Sequence, residues 1–244
     1  MVIVVIEHLE PVLTPWAYLE YRHAAELAGE LLITNIKSES ERRCIDEFAE
    51  THSQSIRDLA HSRDVLILDP QAETLLSPLD FQRYEYVVIG GIMGDFPPRG
   101  RTRKLLASRI GGAASRSLGP CQFSVDGAVF VALEVARGVE LREVWVTSGL
   151  TLEREGIEVH LPFCYPLSGG RVVVSHELLT YVLTLLEEDE AYSIATGNVR
   201  SIADYGCRLE LPPVEYVLKL GRVVNIASLL REGPEASDSC STGS

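Results

Sequence analysis

Four short runs of Val, Ile and Leu mark the first part of the chain: Val2 to Ile6, Leu31 to Ile36, Val65 to Leu68 and Tyr86 to Ile89. Each is apolar at nearly every position, not at alternate ones, as in strands buried on both faces of a parallel sheet. Between the first two runs, Thr14 is placed to cap a helix and Pro15 to occupy its first position. Trp16, Leu19, His23 and Leu27 then recur at helical spacing until Gly29. Ser40 to Ala60 carries Cys44, Ile45, Phe48, Ile56 and Leu59 at a similar spacing and predicts a second helix. Strand, helix, strand, helix, strand is the opening of a doubly wound α/β fold.

The pattern then changes twice. Behind the fourth strand stands GGIMGDFPPRGRT (residues 90–102), followed by a short basic helix from Arg101 to Ala107. Next comes RIGGAASRSLG, too poor in large apolar residues for a core strand, and then a helix from Val125 to Arg137 with Ser124 as its cap. From about residue 140 the strands lengthen, with a helix expected from His176 to Leu186. Segments starting at Leu161 and Leu211 both run from Leu-Pro to Gly-Arg-Val-Val, which reads either as a weak duplication or as two similar hairpins. The expected organisation is an α/β domain over 1–150, an α+β extension over 151–232 and a disordered tail over 233–244.

Composition narrows the partners. The formal charge of −13 repels phosphate and favours a basic protein or a cation. The apolar start is too short to span a bilayer and lacks a basic flank, so a cytoplasmic protein without membrane contact is expected. The five cysteines form no C-x-x-C or His/Cys cluster, which predicts neither a metal site nor a disulfide framework, and reduced thiols are the default. Three lysines against 19 arginines, 22 minus 3, hint at a hot or GC-rich source.

Candidate chemistry gathers behind the fourth strand. Gly90, Gly91 and Gly94 fit neither the dinucleotide fingerprint nor a P-loop, but a glycine loop at the carboxyl end of a strand is where open α/β sheets hold ligands. Glu7 and His8 end the first strand at the same edge. An acid and an imidazole there suit proton transfer or substrate positioning, and equally suit a helix-terminus partner and a satisfied loop histidine. Asp95 suits a polar ligand or a helix cap. Arg99, Arg101, Arg103 and Lys104 suit either an anion or a solvated, acid-paired face. No G-x-S-x-G or H-E-x-x-H occurs, so hydrolase chemistry loses support.

Taken in order, IEHLE, WAYLEY, LDP at Leu68 to Pro70, GGIMGDFPPRGRT, SLG-x-x-Q-F-S-x-D from Ser117 to Asp126 and LPF at Leu161 resemble a branch of the SPOUT methyltransferases. That branch contains a fungal arginine methyltransferase acting on a small-subunit ribosomal protein, and archaeal relatives regarded as RNA methyltransferases. The resemblance implies a parallel sheet flanked by helices with a deep trefoil knot and S-adenosylmethionine bound in it. Gly90, Gly91 and Gly94 would form one wall of that pocket, and Leu118, Gly119, Gln122 and Phe123 the other. A substrate guanidinium is best held by carboxylates, which makes Glu7, Asp95 and Glu20 candidate acids. Phe96 and Gly100 depart from the fungal pattern. The expected partner is a basic ribosomal protein. RNA methylation and a non-catalytic binding module are the alternatives, and monomer or homodimer is left open.

Overall fold

The computed structural model describes residues 2–94 and 100–232. In chain order the elements are β1 (Ile3–His8), α1 (Pro15–Ala28), β2 (Leu32–Thr34), α2 (Glu39–Ile45), β3 (Glu50–Thr51), α3 (Ile56–Leu59), β4 (Val65–Leu68) and β5 (Tyr86–Gly91). There follow α4 (Arg101–Leu105), β6 (Ala114–Arg116), α5 (Val125–Ala136), β7 (Trp145–Arg154), β8 (Ile157–Ser168) and β9 (Arg171–Val172). The chain closes with α6 (His176–Thr184), α7 (Leu186–Thr196), β10 (Val217–Asn225) and α8 (Ile226–Glu232).

Six parallel strands form one sheet in the order β3-β2-β1-β5-β4-β6, and four antiparallel strands form a second in the order β10-β7-β8-β9. The apolar strands are buried on both faces for a visible reason. Val4, Ile6, Leu66, Leu68, Val87 and Ile89 pack with α1 and α5, while Val5, Ile67 and Val88 pack with Ile56, Leu106 and Ile110. Thr14 caps α1 by accepting the Ala17 N–H, and Ser124 caps α5 by accepting the Gly127 N–H, as the sequence predicts.

Three expectations are corrected. The stretch from Ser40 to Ala60 is not one helix: α2 ends at Ile45, β3 adds an edge to the sheet, and Ser55 starts α3. Ala114–Arg116, read as too small-sided for a strand, pairs in parallel with Leu66–Leu68, because an edge ladder requires backbone groups and not bulk. Four of the five cysteines are paired, Cys44 with Cys207 and Cys121 with Cys164, their Cα atoms 4.9 and 5.7 Å apart. Partners 163 and 43 residues apart are brought together by the fold alone, so spacing could not reveal them.

The two Leu-Pro to Gly-Arg-Val-Val segments fold differently. The first completes β8, turns and forms β9, whereas the second contributes the single strand β10, bonded along β7. Residue 150 falls inside β7, and one core cluster includes Ile6 and Val129 together with Leu161 and Leu178.

Candidate functional site

At the carboxyl edge of the parallel sheet, a cleft open to solvent lies between three loops. One follows β4 (Asp69 to Gln71), one follows β5 (Ile92 to Gly94), and one precedes α5 (Leu118 to Ser124). Its floor is apolar, with Leu68, Ile89, Leu118, Val125 and Ala128.

Each loop is held in place by polar or covalent links, some of them from residues that also line the cleft. Beyond β5, Glu10 Oε1 accepts the Met93 N–H and an Arg101 N–H, both at 2.9 Å, while Arg101 also donates to the Met93 carbonyl. Thr14 Oγ1 donates to Met93 Sδ at 3.3 Å. Beyond β4, buried Asp69 accepts the Gln71 N–H and Arg103 Nε at 3.0 Å each. Ahead of α5, Gly119 has φ of +93°, where a side chain is strained, and its N–H reaches Ser117 Oγ. The Cys121–Cys164 disulfide and the Cys164 N–H to Gln122 carbonyl bond, 2.9 Å, fasten that loop to β8.

Of the sequence-predicted residues, Gly90, Gly94, Leu118, Gln122 and Phe123 line the cleft. Gly91 and Gly119 do not. A Cβ on Gly91 would lie 2.0 Å from Tyr21 Oη, so this glycine makes room for α1 on the sheet's buried face. A Cβ on Gly94 would lie 2.5 Å from Phe163 and 2.7 Å from Gln122 Nε2, so Gly94 lets these two side chains close over the loop. Neither these glycines nor Gly90 has positive φ; they serve space and not turn geometry. Asp95 and Arg99 lie outside the described residues.

Glu7 is brought to the sheet edge but not to the cleft. Its carboxylate accepts the hydroxyls of Thr34 and Ser55 and the Ile56 N–H at 3.0 Å, and it borders a separate pocket beside Asn35 and Arg109. It therefore serves the N-terminus of α3, one of the two roles the sequence offered. His8 bonds the Tyr21 hydroxyl through Nδ1 at 2.9 Å, and burial lowers its pKa to about 4, so it is neutral near pH 7. Two members of the basic cluster are paired with acids, Arg101 with Glu10 and Arg103 with Asp69, and Arg101 also lines the cleft.

Sequence reasoning missed Gln71, Ile92 and Thr102 as lining residues. The LDP that ends β4 was the available signal for the first of them, because loops at this edge of a parallel sheet converge.

An apolar floor, an edge rich in backbone groups and a buried Gln122 Oε1 without a hydrogen-bond partner fit a ligand that is part aromatic and part polar. Fold and site together define an α/β protein built to hold a small molecule between glycine-rich and cross-linked loops. The chain belongs to the SFM1-like protein arginine N-methyltransferase family, whose profile matches residues 3–189.

Protein arginine N-methyltransferase SFM1 of Saccharomyces cerevisiae is 33% identical to it, over 51% of this chain and 66% of that relative. The chain thus spans just under two thirds of that relative's length. The crystal structure of the yeast arginine methyltransferase SFM1 complexed with SAM superposes with a TM-score of 0.65 at 25% identity, over 78% of this chain and 92% of that one. Another solved structure, described as a novel protein arginine methyltransferase, gives 0.62 at 24% identity, over 74% and 98%.

Proposed function

We propose that this protein binds S-adenosylmethionine in the cleft and methylates an arginine of a basic ribosomal protein in the cytoplasm. The observation that carries the reading is the meeting of the GGIMG and SLG-x-x-Q-F-S segments, distant in sequence, as two walls of one cleft in a chain of this family. S-adenosylmethionine supplies an electrophilic methyl group. Gly90, Gly94, Leu118, Gln122 and Phe123 would hold it, with Gly91 and Gly119 shaping the walls from behind.

The chain's own contribution is positioning: the Glu10–Arg101 clamp and the Cys121–Cys164 link fix the two walls before any ligand arrives. Asp95, next to Gly94, is proposed as an acid that grips the substrate, and Glu7 as a positioning acid that fixes the end of β1. A threaded, knotted crossing is supported by the family match, and the Leu75–Ser117 bridge brings the chain ahead of the cleft loop beside residues 74–76. Pairing of Arg101 and Arg103 with internal acids, together with the charge of −13, favours a basic protein over RNA.

Incubation with methyl-labelled S-adenosylmethionine and ribosomes from the source organism tests this directly. Label is expected in a small basic protein band that survives nuclease. Label confined to RNA would overturn the protein substrate, and no label with tight cofactor binding would leave a binding module.

A further inference from the structure

The outer strands of the two sheets differ sharply in length. β3 and β9 have two residues each and β6 has three, whereas β10 runs for nine, Val217–Asn225. A long free edge offers a row of unpaired N–H and C=O groups to any other strand, and proteins commonly guard such edges with a proline, a bulge or an outward lysine. β10 contains no proline and keeps one register along β7. Its Lys219 is held by Glu153 and Glu158 at 2.6 and 2.9 Å, and its Arg222 by Glu232, so neither cation guards the edge. Among the described residues, no strand pairs with the far side of β10. Along it Val217, Leu220 and Val223 are 56, 40 and 41% exposed.

We propose that β10 pairs with β10 of a second copy of this chain, antiparallel about a two-fold axis at Leu220, joining two four-stranded sheets into one. The proposal goes beyond the methyltransferase reading and does not depend on it. An interface about a two-fold axis must complement itself. Alternate residues of a strand turn their N–H and C=O groups to opposite edges, so residues that face each other here lie an even number apart in the sequence. An axis at Lys219 or at Arg222 would set like charges face to face. One at Gly221 would set Leu220 against Arg222 and Lys219 against Val223. With the axis at Leu220, Leu220 meets its own copy and Val217 meets Val223 on both sides of it, so each exposed apolar side chain of the strand is covered by another. Lys219 then faces Gly221 and Arg222 faces Leu218. Backbone pairing, apolar cover and charge thus select the same register. No β10 residue lines the cleft, so the cleft of each copy stays open in the dimer.

Sedimentation velocity of the full chain over about 1–100 μM tests the pairing. A species at twice the chain's 26.9 kDa is expected. Leu220→Lys sets two ammonium groups together on the axis and should weaken association about tenfold or more. Val217→Glu and Val223→Lys should each weaken it too, whereas the double variant sets a carboxylate against an ammonium group at both ends and should recover the dimer. Recovery is specific to this register, since an axis at Gly221 would bring the new ammonium group against Lys219. In the native sequence, which requires no variant to fold, the amide hydrogens of β10 should exchange more slowly at the upper concentration than at the lower. A chain that is monomeric throughout, with β10 exchange independent of concentration, overturns the proposal and leaves the edge to a strand of another protein. A dimer indifferent to Leu220→Lys, or single variants that the double one does not rescue, overturns it equally.

Discussion

At the scale of single residues, Gly90 and Gly91 are adjacent yet face opposite sides of the sheet. The Gly91 side meets Tyr21, whose hydroxyl is bonded to His8 and whose ring is fully buried, so Tyr21 has nowhere to move. A Cβ there would also come within 3.0 Å of Ile6 Cγ2. Overpacking of this kind costs about 1–3 kcal/mol, or several degrees of unfolding temperature at this chain length. Gly90 differs, since its nearest neighbour to an added Cβ is Ile92 Cδ1 at 3.4 Å, an ordinary contact. Gly91→Ala should therefore lower the melting temperature followed by circular dichroism by at least about twice as much as Gly90→Ala. Gly90→Ala should instead weaken S-adenosylhomocysteine binding measured by calorimetry. Equal losses of stability would show that Gly91 is not packed as described.

Among elements, those legible in the sequence were the ones whose own residues decide their structure. The runs Val65 to Leu68 and Tyr86 to Ile89 carry an apolar pattern of their own, and the Thr14-Pro15 start of α1 and the Ser124 cap of α5 carry local capping chemistry. The elements that escaped depend on partners far along the chain. Residues 50–51 and 114–116 are strands because β2 and β4 offer them backbone groups, and α3 starts where Ser55 and Ile56 can reach Glu7. The cleft was half legible: the glycine loop declared itself, while Gln71 and Thr102 enter through the convergence of loops. Disulfides are the extreme case. The link closing 43 residues is worth about 4 kcal/mol in chain entropy and the one closing 163 about 5. At roughly 2–4 °C per kcal/mol for a chain of this length, reduction should lower the melting temperature by about 20–35 °C. It should also loosen the loop ahead of α5, leaving the Cys164 N–H to Gln122 bond and weaker S-adenosylhomocysteine binding. Alkylation of denatured protein, read by mass spectrometry, should give four fewer adducts before reduction than after; equal counts would remove both links.

For the molecule as a whole, two buried groups on opposite flanks of pH set a stability window. Glu20 titrates at 4.5 unfolded and at about 8 folded, so between these values the native state holds a proton that unfolding releases. Raising the pH through that range therefore weakens the fold. His8 titrates at 6.5 unfolded and at about 4 folded, so the unfolded chain takes up a proton between them and falling pH weakens the fold. Between about pH 4.5 and 6.5 the two effects oppose and cancel, so melting temperature should be flat there and decline above about 6.5, where the Glu20 effect acts alone. Surface repulsion from a net charge of −13 also grows with pH, but salt screens exposed charges far more than a buried acid. In high salt the alkaline decline should persist in the native sequence and flatten in Glu20→Gln, while His8→Gln should extend the decline down to about pH 4.5. An alkaline decline abolished by salt and unchanged by Glu20→Gln would assign it to the acidic surface and would place Glu20 in a more hydrated setting than its contacts with Trp16 and Val125 describe.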